Sequence, residues 1–96
     1  MNPQRVLLYY GFTPINDPVA VQLWQTTLCE TLNLKGRILI SPNGINGTVG
    51  GDIDDLRKYV KHTKKYPGFK KIGFKWSQGT GDEFPRLYIA VKNELV

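Results

Sequence analysis

Cysteine occurs once in this chain, at Cys29, and histidine once, at His62. One thiol cannot close an internal disulfide, and one thiol with one imidazole falls short of a structural zinc site. A reducing, cytoplasmic setting is the expectation. No apolar run approaches the roughly 20 residues needed to span a bilayer, and the first five residues do not lead a basic segment into an apolar one. Neither export nor membrane insertion is expected. Carboxylates are missing from one stretch in particular: from Arg57 to Lys75 there are eight basic side chains and no acid, while the remainder holds five basic against eight acidic residues.

What is present suffices for one compact domain. The chain has 96 residues, 41% hydrophobic and 11% aromatic, enough for a core and too few for two domains. The net charge of +5 is concentrated in Arg57, Lys58, Lys61, Lys64, Lys65, Lys70, Lys71 and Lys75. Clustered cations of this kind suit a polyanion, because phosphate contacts need local rather than average charge. They equally suit a solvated helix face, and composition leaves both readings open.

The segment RVLLYYGF, residues 5–12, is apolar without alternation and reads as a central strand covered on both sides. Asn16 or Asp17 before Pro18 predicts a capped helix carrying Val21, Trp24, Leu28 and Leu32 at helical spacing with Cys29 beside them; Asn33 and Gly36 end it. GRILIS, residues 36–41, is a second strand. The two Asn-Gly pairs of PNGINGTVGG predict a hairpin-like link into a short strand around Thr48 and Val49. Asp52 caps a second helix, with Asp54 and Asp55 in its first turn. There Ile53, Leu56, Tyr59, Val60 and Thr63 share one face and Arg57, Lys58, Lys61, Lys64 and Lys65 the adjoining one. After Pro67 and Gly68, Ile72, Phe74 and Trp76 alternate as a half-buried strand. Residues 77–83 read as a loop, and RLYIAVK, residues 86–92, as a last strand with Leu87, Ile89 and Val91 inward. The order βαββαββ predicts an α+β, ferredoxin-like sandwich: βαββαβ plus an extra strand, two helices on one face of an antiparallel or mixed sheet.

Nucleophilic catalysis needs a nucleophile beside a base. Cys29 borders an apolar stripe and reads as a packed thiol, while His62 falls outside both arcs of its helix and reads as solvated. Asp52, Asp54 and Asp55 are explained by capping, and Asp82 and Glu83 lie in a polar stretch. The link Asn43, Gly44, Asn46 and Gly47 offers backbone N–H groups that suit a phosphate or a base, or else is a plain turn. It has neither a Walker loop nor a dinucleotide fingerprint. KKIGFKW, residues 70–76, loosely matches the aromatic strand of RNA-recognition modules but follows the second helix instead of preceding it. The strand that would carry stacking aromatics in such a module, residues 47–50, has none, so a standard module is rejected.

Taken together, RVLLYYGF, GRILISPNGINGTVGG, FKW and RLYIAVKNELV resemble the N-terminal part of the bacterial rhodanese-related tRNA uridine hydroxylases over nearly the whole chain. Residues 36–51 are the most distinctive element. The resemblance implies an acylphosphatase-like, that is ferredoxin-like, domain over residues 1–96. It also implies a parent enzyme that uses molecular oxygen to hydroxylate the wobble uridine of certain tRNAs. A rhodanese-like domain with a reactive cysteine follows in that family; no counterpart lies in these 96 residues, so the chain reads as part of a longer protein. No catalytic residue and no cofactor is expected in it. Its expected partners are tRNA, through the parent, and the parent's own rhodanese-like domain. True acylphosphatases place an arginine after the first strand, whereas residues 11–17 contain no basic side chain. Three functions remain: an RNA-contacting domain of a tRNA-modifying enzyme, a module that supports the missing domain, and a small phosphatase.

Overall fold

A computed structural model describes residues 3–93. The final residues of the RLYIAVKNELV match lie outside them. Seven elements follow in the order β1(Gln4–Phe12), α1(Pro18–Thr31), β2(Lys35–Ser41), β3(Gly44–Asp52), α2(Ile53–Thr63), β4(Phe74–Gln78) and β5(Leu87–Val91). The five strands form one sheet in the order β4-β1-β3-β2-β5. All neighbours are antiparallel except β2 and β5, which are parallel. This is the expected ferredoxin-like sandwich with its extra strand, and β1 is central as expected.

Leu7 and Tyr9 of β1, Ile38 and Ile40 of β2, and Ile45 and Val49 of β3 are buried in a single core with Val21 and Cys29 of α1 and Leu56 and Tyr59 of α2. Both helices therefore cover the same face. The opposite face is open from Leu8 onward, which corrects the reading of β1 as covered on both sides along its length: Leu8, Tyr10 and Phe12 are exposed, alternating with Leu7, Tyr9 and Gly11 beneath the helices, and only Val6, opposite the Gly50 that Phe84 covers, is buried on that side. Apolar residues on both sides of a strand mimic double coverage whether or not a second layer exists.

Local chemistry explains the element ends. Asp17 is the cap of α1 and accepts from the Ala20 N–H at 3.1 Å; Asp52 caps α2 by accepting from the Asp54 N–H at 2.9 Å. Asn33, at a φ of 55°, turns the chain out of α1. The hairpin turn uses Pro42 and Asn43 only, with Ser41 opposite Gly44. The second Asn-Gly pair lies inside β3, which runs nine residues and not the short stretch expected. Its glycines serve close packing: a Cβ on Gly47 would meet the Tyr9 ring at 2.7 Å, and one on Gly50 would meet Phe84 at 3.1 Å.

Two other expectations need amendment. Ile72 is buried but precedes β4, and Trp76 remains 40% exposed although it shares the helix-side register with Phe74. Residues 77 and 78 belong to β4, so the loop is shorter than predicted. That loop is tied by Glu83, whose carboxylate accepts from the Thr80 hydroxyl at 2.9 Å and the Gly81 N–H at 3.2 Å. Its pKa is lowered by these bonds, first by that from the Thr80 backbone. At the other edge, Val91 stays 36% exposed, while Leu87 and Ile89 pack on the core.

Within the core one polar chain joins three elements. The Tyr59 hydroxyl donates to Gln25 Oε1 at 2.6 Å, which leaves its oxygen to accept from the Tyr9 hydroxyl; Gln25 Nε2 donates to Thr63 Oγ1 at 3.3 Å. Gln25 and Thr63 are wholly buried, yet no buried side-chain polar atom among the described residues lacks a partner.

Candidate nucleic-acid interface

The basic stripe is a product of α2's amphipathy. Leu56, Tyr59 and Thr63 are buried, Ile53 and Val60 are half-buried, and Arg57, Lys58 and Lys61 are exposed on the adjoining arc. Lys64 is the C-cap residue and Lys65 lies in the turn beyond, so the stripe outlasts the helix by one turn. Basic residues there also oppose the negative end of the helix dipole. Lys64 Nζ sits 5.6 Å from the centroid of the Phe74 ring, which directs the stripe's C-terminal end toward the β4 edge. At the other end Arg57 approaches Ile53, Trp76 and Arg5 in a shallow depression.

The stripe is almost free of counter-charge. Among the described residues there is one ion pair, Arg57 with Asp54 at 3.4 Å, and both partners are largely exposed. Such a pair contributes little. Lys70 and Lys71 are exposed in the connection after α2. Lys75 is not part of the stripe: it lies opposite Leu8 on the open face of the sheet. The stripe and Lys75 thus lie on two surfaces that meet at the β4 edge.

The four link positions are dispersed as well. Asn43 is exposed in the turn, its N–H donating to Ser41 Oγ at 3.1 Å. Gly44 and Gly47 are buried ladder positions, and Asn46 stands half-buried on the open face opposite Tyr10. The connection after β1 is equally committed, since the Thr13 and Ile15 N–H groups donate to the Asn43 and Pro42 carbonyls at 3.0 and 2.9 Å. Those two amides are not available to cradle a phosphate.

Cys29 and His62 are not brought together. Cys29 is fully buried, and His62 is exposed on α2. Burial pushes the thiol up to about 12, with the nearby Glu30 carboxylate adding to the effect. Native Cys29 is therefore expected to react with a disulfide reagent at pH 8 only as fast as the domain opens. The sign for stability follows: as pH rises past the ordinary value of 9.0 the unfolded chain releases the thiol proton while the folded chain keeps it to about 12, so stability falls across that window. Reagent kinetics with and without urea check the first statement; a burst of native-state labelling would refute it.

Among the described residues no helix is long and apolar enough to cross a membrane. The sequence family described as "UPF0176 acylphosphatase like domain" matches residues 4–95. A tRNA uridine(34) hydroxylase of Corynebacterium glutamicum (strain R) is 62% identical over 96 residues, which is all of this chain and 31% of that protein. The chain thus spans about a third of the length of the curated relatives it matches. Among solved structures, the dark state of the BLUF protein BlrB is similar with a TM-score of 0.77 at 18% identity, covering 95% of this chain and 74% of that one. An acylphosphatase from Bacillus subtilis gives a TM-score of 0.66 at 13% identity, covering 91% and 97%. At such identities the likeness concerns the fold alone. The match to residues 4–95, with the two helices layered on one face of the five-stranded sheet, places the chain in the UPF0176 acylphosphatase-like domain family.

Proposed function

We propose that this domain is the non-catalytic N-terminal part of a cytoplasmic tRNA-modifying enzyme, and that it holds tRNA through the stripe Arg57, Lys58, Lys61, Lys64 and Lys65 with Lys70 and Lys71 beside it. The parent reaction would be oxygen-dependent 5-hydroxylation of the wobble uridine, carried out by a rhodanese-like domain elsewhere in the parent. The name of the 62% identical relative supports the tRNA reading. The observation that carries the site is the stripe itself: a continuous exposed cationic arc with one weak internal pair. Cations in such an arc gain by releasing the counterions condensed on a polynucleotide. A phosphatase is disfavoured by the arginine-free connection after β1, two of whose amides bond the neighbouring turn.

Titration of tRNA at several salt concentrations tests this. With about four phosphates engaged, log affinity should fall with log salt at a slope of about −3, from roughly −0.7 per single-strand contact. Replacing Lys61, Lys64 and Lys65 by Gln is expected to weaken binding to all sequences alike and to flatten the slope by about 2, since phosphate contacts carry no base information. The fold should be unaffected, because these side chains are exposed. An unchanged affinity and slope would leave the stripe as a solvated helix face and favour a module that supports the rhodanese-like domain.

A further inference from the structure

Among the described residues the sheet face away from the helices is covered at one end, where Phe84 packs on Gly50 opposite the buried Val6; the rest has no layer upon it, and its composition is specific. Strand register sets its residues in rows. One row crosses all five strands as Lys75, Leu8, Thr48, Arg37 and Tyr88. The next runs Tyr10, Asn46, Leu39 and Ala90, and Phe12 follows Tyr10 along β1. Four of these side chains are large, apolar and exposed: Leu8 at 39%, Tyr10 at 41%, Phe12 at 77% and Tyr88 at 44%. The Tyr10 and Phe12 rings already pair, with centroids 4.6 Å apart. Arg37 lies over the Tyr88 ring at 5.4 Å.

Charge decides what such a face accepts. Two of its cations, Lys75 and Arg37, stand three strands apart, roughly 14 Å at the usual strand spacing; a third, Lys35, shares the face at the Gly50 end. The one carboxylate whose register falls on this face, Asp52, is engaged in capping α2. Glu83 lies at the far end, beside Gly50 and Lys35. Exposed rings, flanking cations and no free carboxylate between them form a surface for a polyanion that has π-faces to stack.

The geometry points to single-stranded RNA as the occupant: unpaired bases stack on Tyr10, Phe12 and Tyr88, Lys75 and Arg37 take the phosphates, and Asn46 and Thr48 reach base edges. This rests on the proposed RNA contact but uses a different surface from the α2 stripe. Lys75 carries the strand past the β4 edge, so one RNA could run from the stripe, which binds any phosphate, onto the sheet, which needs its bases free. Unlike a standard RNA-recognition module, the platform draws its rings from β1 and β5, and β3 supplies only Asn46 and Thr48.

The test is fluorescence-anisotropy titration of the whole chain with a labelled oligouridylate of about ten nucleotides, long enough for one sheet-sized site, and with a duplex of equal length. Tyr10→Leu with Phe12→Leu keeps apolar area but removes the π-faces. This pair is expected to lower single-strand affinity roughly tenfold or more, by the usual worth of base stacking, while the salt slope and duplex binding stay as in the unsubstituted chain. The K61Q/K64Q/K65Q variant should do the reverse and flatten the slope, so the two surfaces fail separately. NMR of the unsubstituted chain gives an independent reading that needs no variant: Tyr10 and Phe12 ring protons should shift upfield on adding the oligonucleotide. The proposal is overturned if the Leu pair binds like the unsubstituted chain, if the ring protons do not move, or if the chain binds no oligouridylate at low salt. It is also overturned if the Leu pair instead abolishes a concentration-dependent dimer in sedimentation, which would make the face a contact between copies.

Discussion

Gly36→Ala is expected to cost about 4 kcal/mol or more, much of what holds a domain of this size together. Gly36 has a φ of +148°, and a Cβ there would overlap the Thr48 carbonyl oxygen and come within 2.8 Å of Val49 Cα. Those are backbone atoms of the neighbouring strand and have no rotamer by which to yield. Gly36 also pairs with Leu87 of β5, and its N–H donates to the Arg86 carbonyl at 3.2 Å, so the strain falls where three strands meet. In urea titration the midpoint should collapse, or the variant should fail to fold. Gly73→Ala is the control, since a Cβ at Gly73 meets nothing within 4 Å. A Gly36→Ala midpoint equal to that of the control would show that the β2–β3 approach is looser than described.

Tyr59→Phe should be the next most damaging change, at about 3 kcal/mol, because it removes one atom that satisfies two others. Without that hydroxyl the Tyr9 donor and the Gln25 Oε1 acceptor are both left in a sealed core with nothing to bond. The shape of the core is unchanged, so no cavity explains the loss. For a domain of this size the melting temperature should fall by roughly 12–24 °C. Tyr9→Phe added to Tyr59→Phe should cost much less than the sum of the single changes, because it removes one orphan. Additive losses in thermal melts would mean that the two hydroxyls are not one unit. Burial raises both tyrosine pKa values. The chain of bonds should therefore weaken in alkali in the same direction as Cys29, because the unfolded state gives up its protons first.

The course of α1 illustrates what periodicity reveals and what it hides. Its buried residues are Val21, Gln25 and Cys29, an exact four-residue spacing. Hydropathy locates the stripe through Val21, Trp24, Leu28 and Leu32, with Cys29 packed beside it. Gln25 went unnoticed because an amide at the centre of a core face makes sense only with Tyr59 and Thr63 opposite, and those come from another helix. On α2 the apolar and basic arcs were both legible, since amphipathy is local and Asp52 marks its start. On β3 the sequence misled: Asn46 and Gly47 have turn chemistry, yet they pair with Tyr10 and Tyr9 because the Tyr9 ring needs the space a side chain would fill. The open face was illegible for a related reason. Leu8, Tyr10 and Phe12 look like core residues until the helices are seen to occupy one side only.

The position of β1 bears on how the chain is made. It is synthesised before the other strands of its sheet and takes the second place in it, pairing Gln4 with Asp52 on one side and Arg5 with Gln78 on the other. At roughly 5–20 residues per second of translation it waits several seconds for β3 and longer for β4. Throughout that interval Leu7, Leu8, Tyr9 and Tyr10 have no strand to pair with. This domain therefore carries its stickiest segment unprotected until β3 emerges, and chaperone dependence in the cell would reflect this order of synthesis more than the stability of the finished domain.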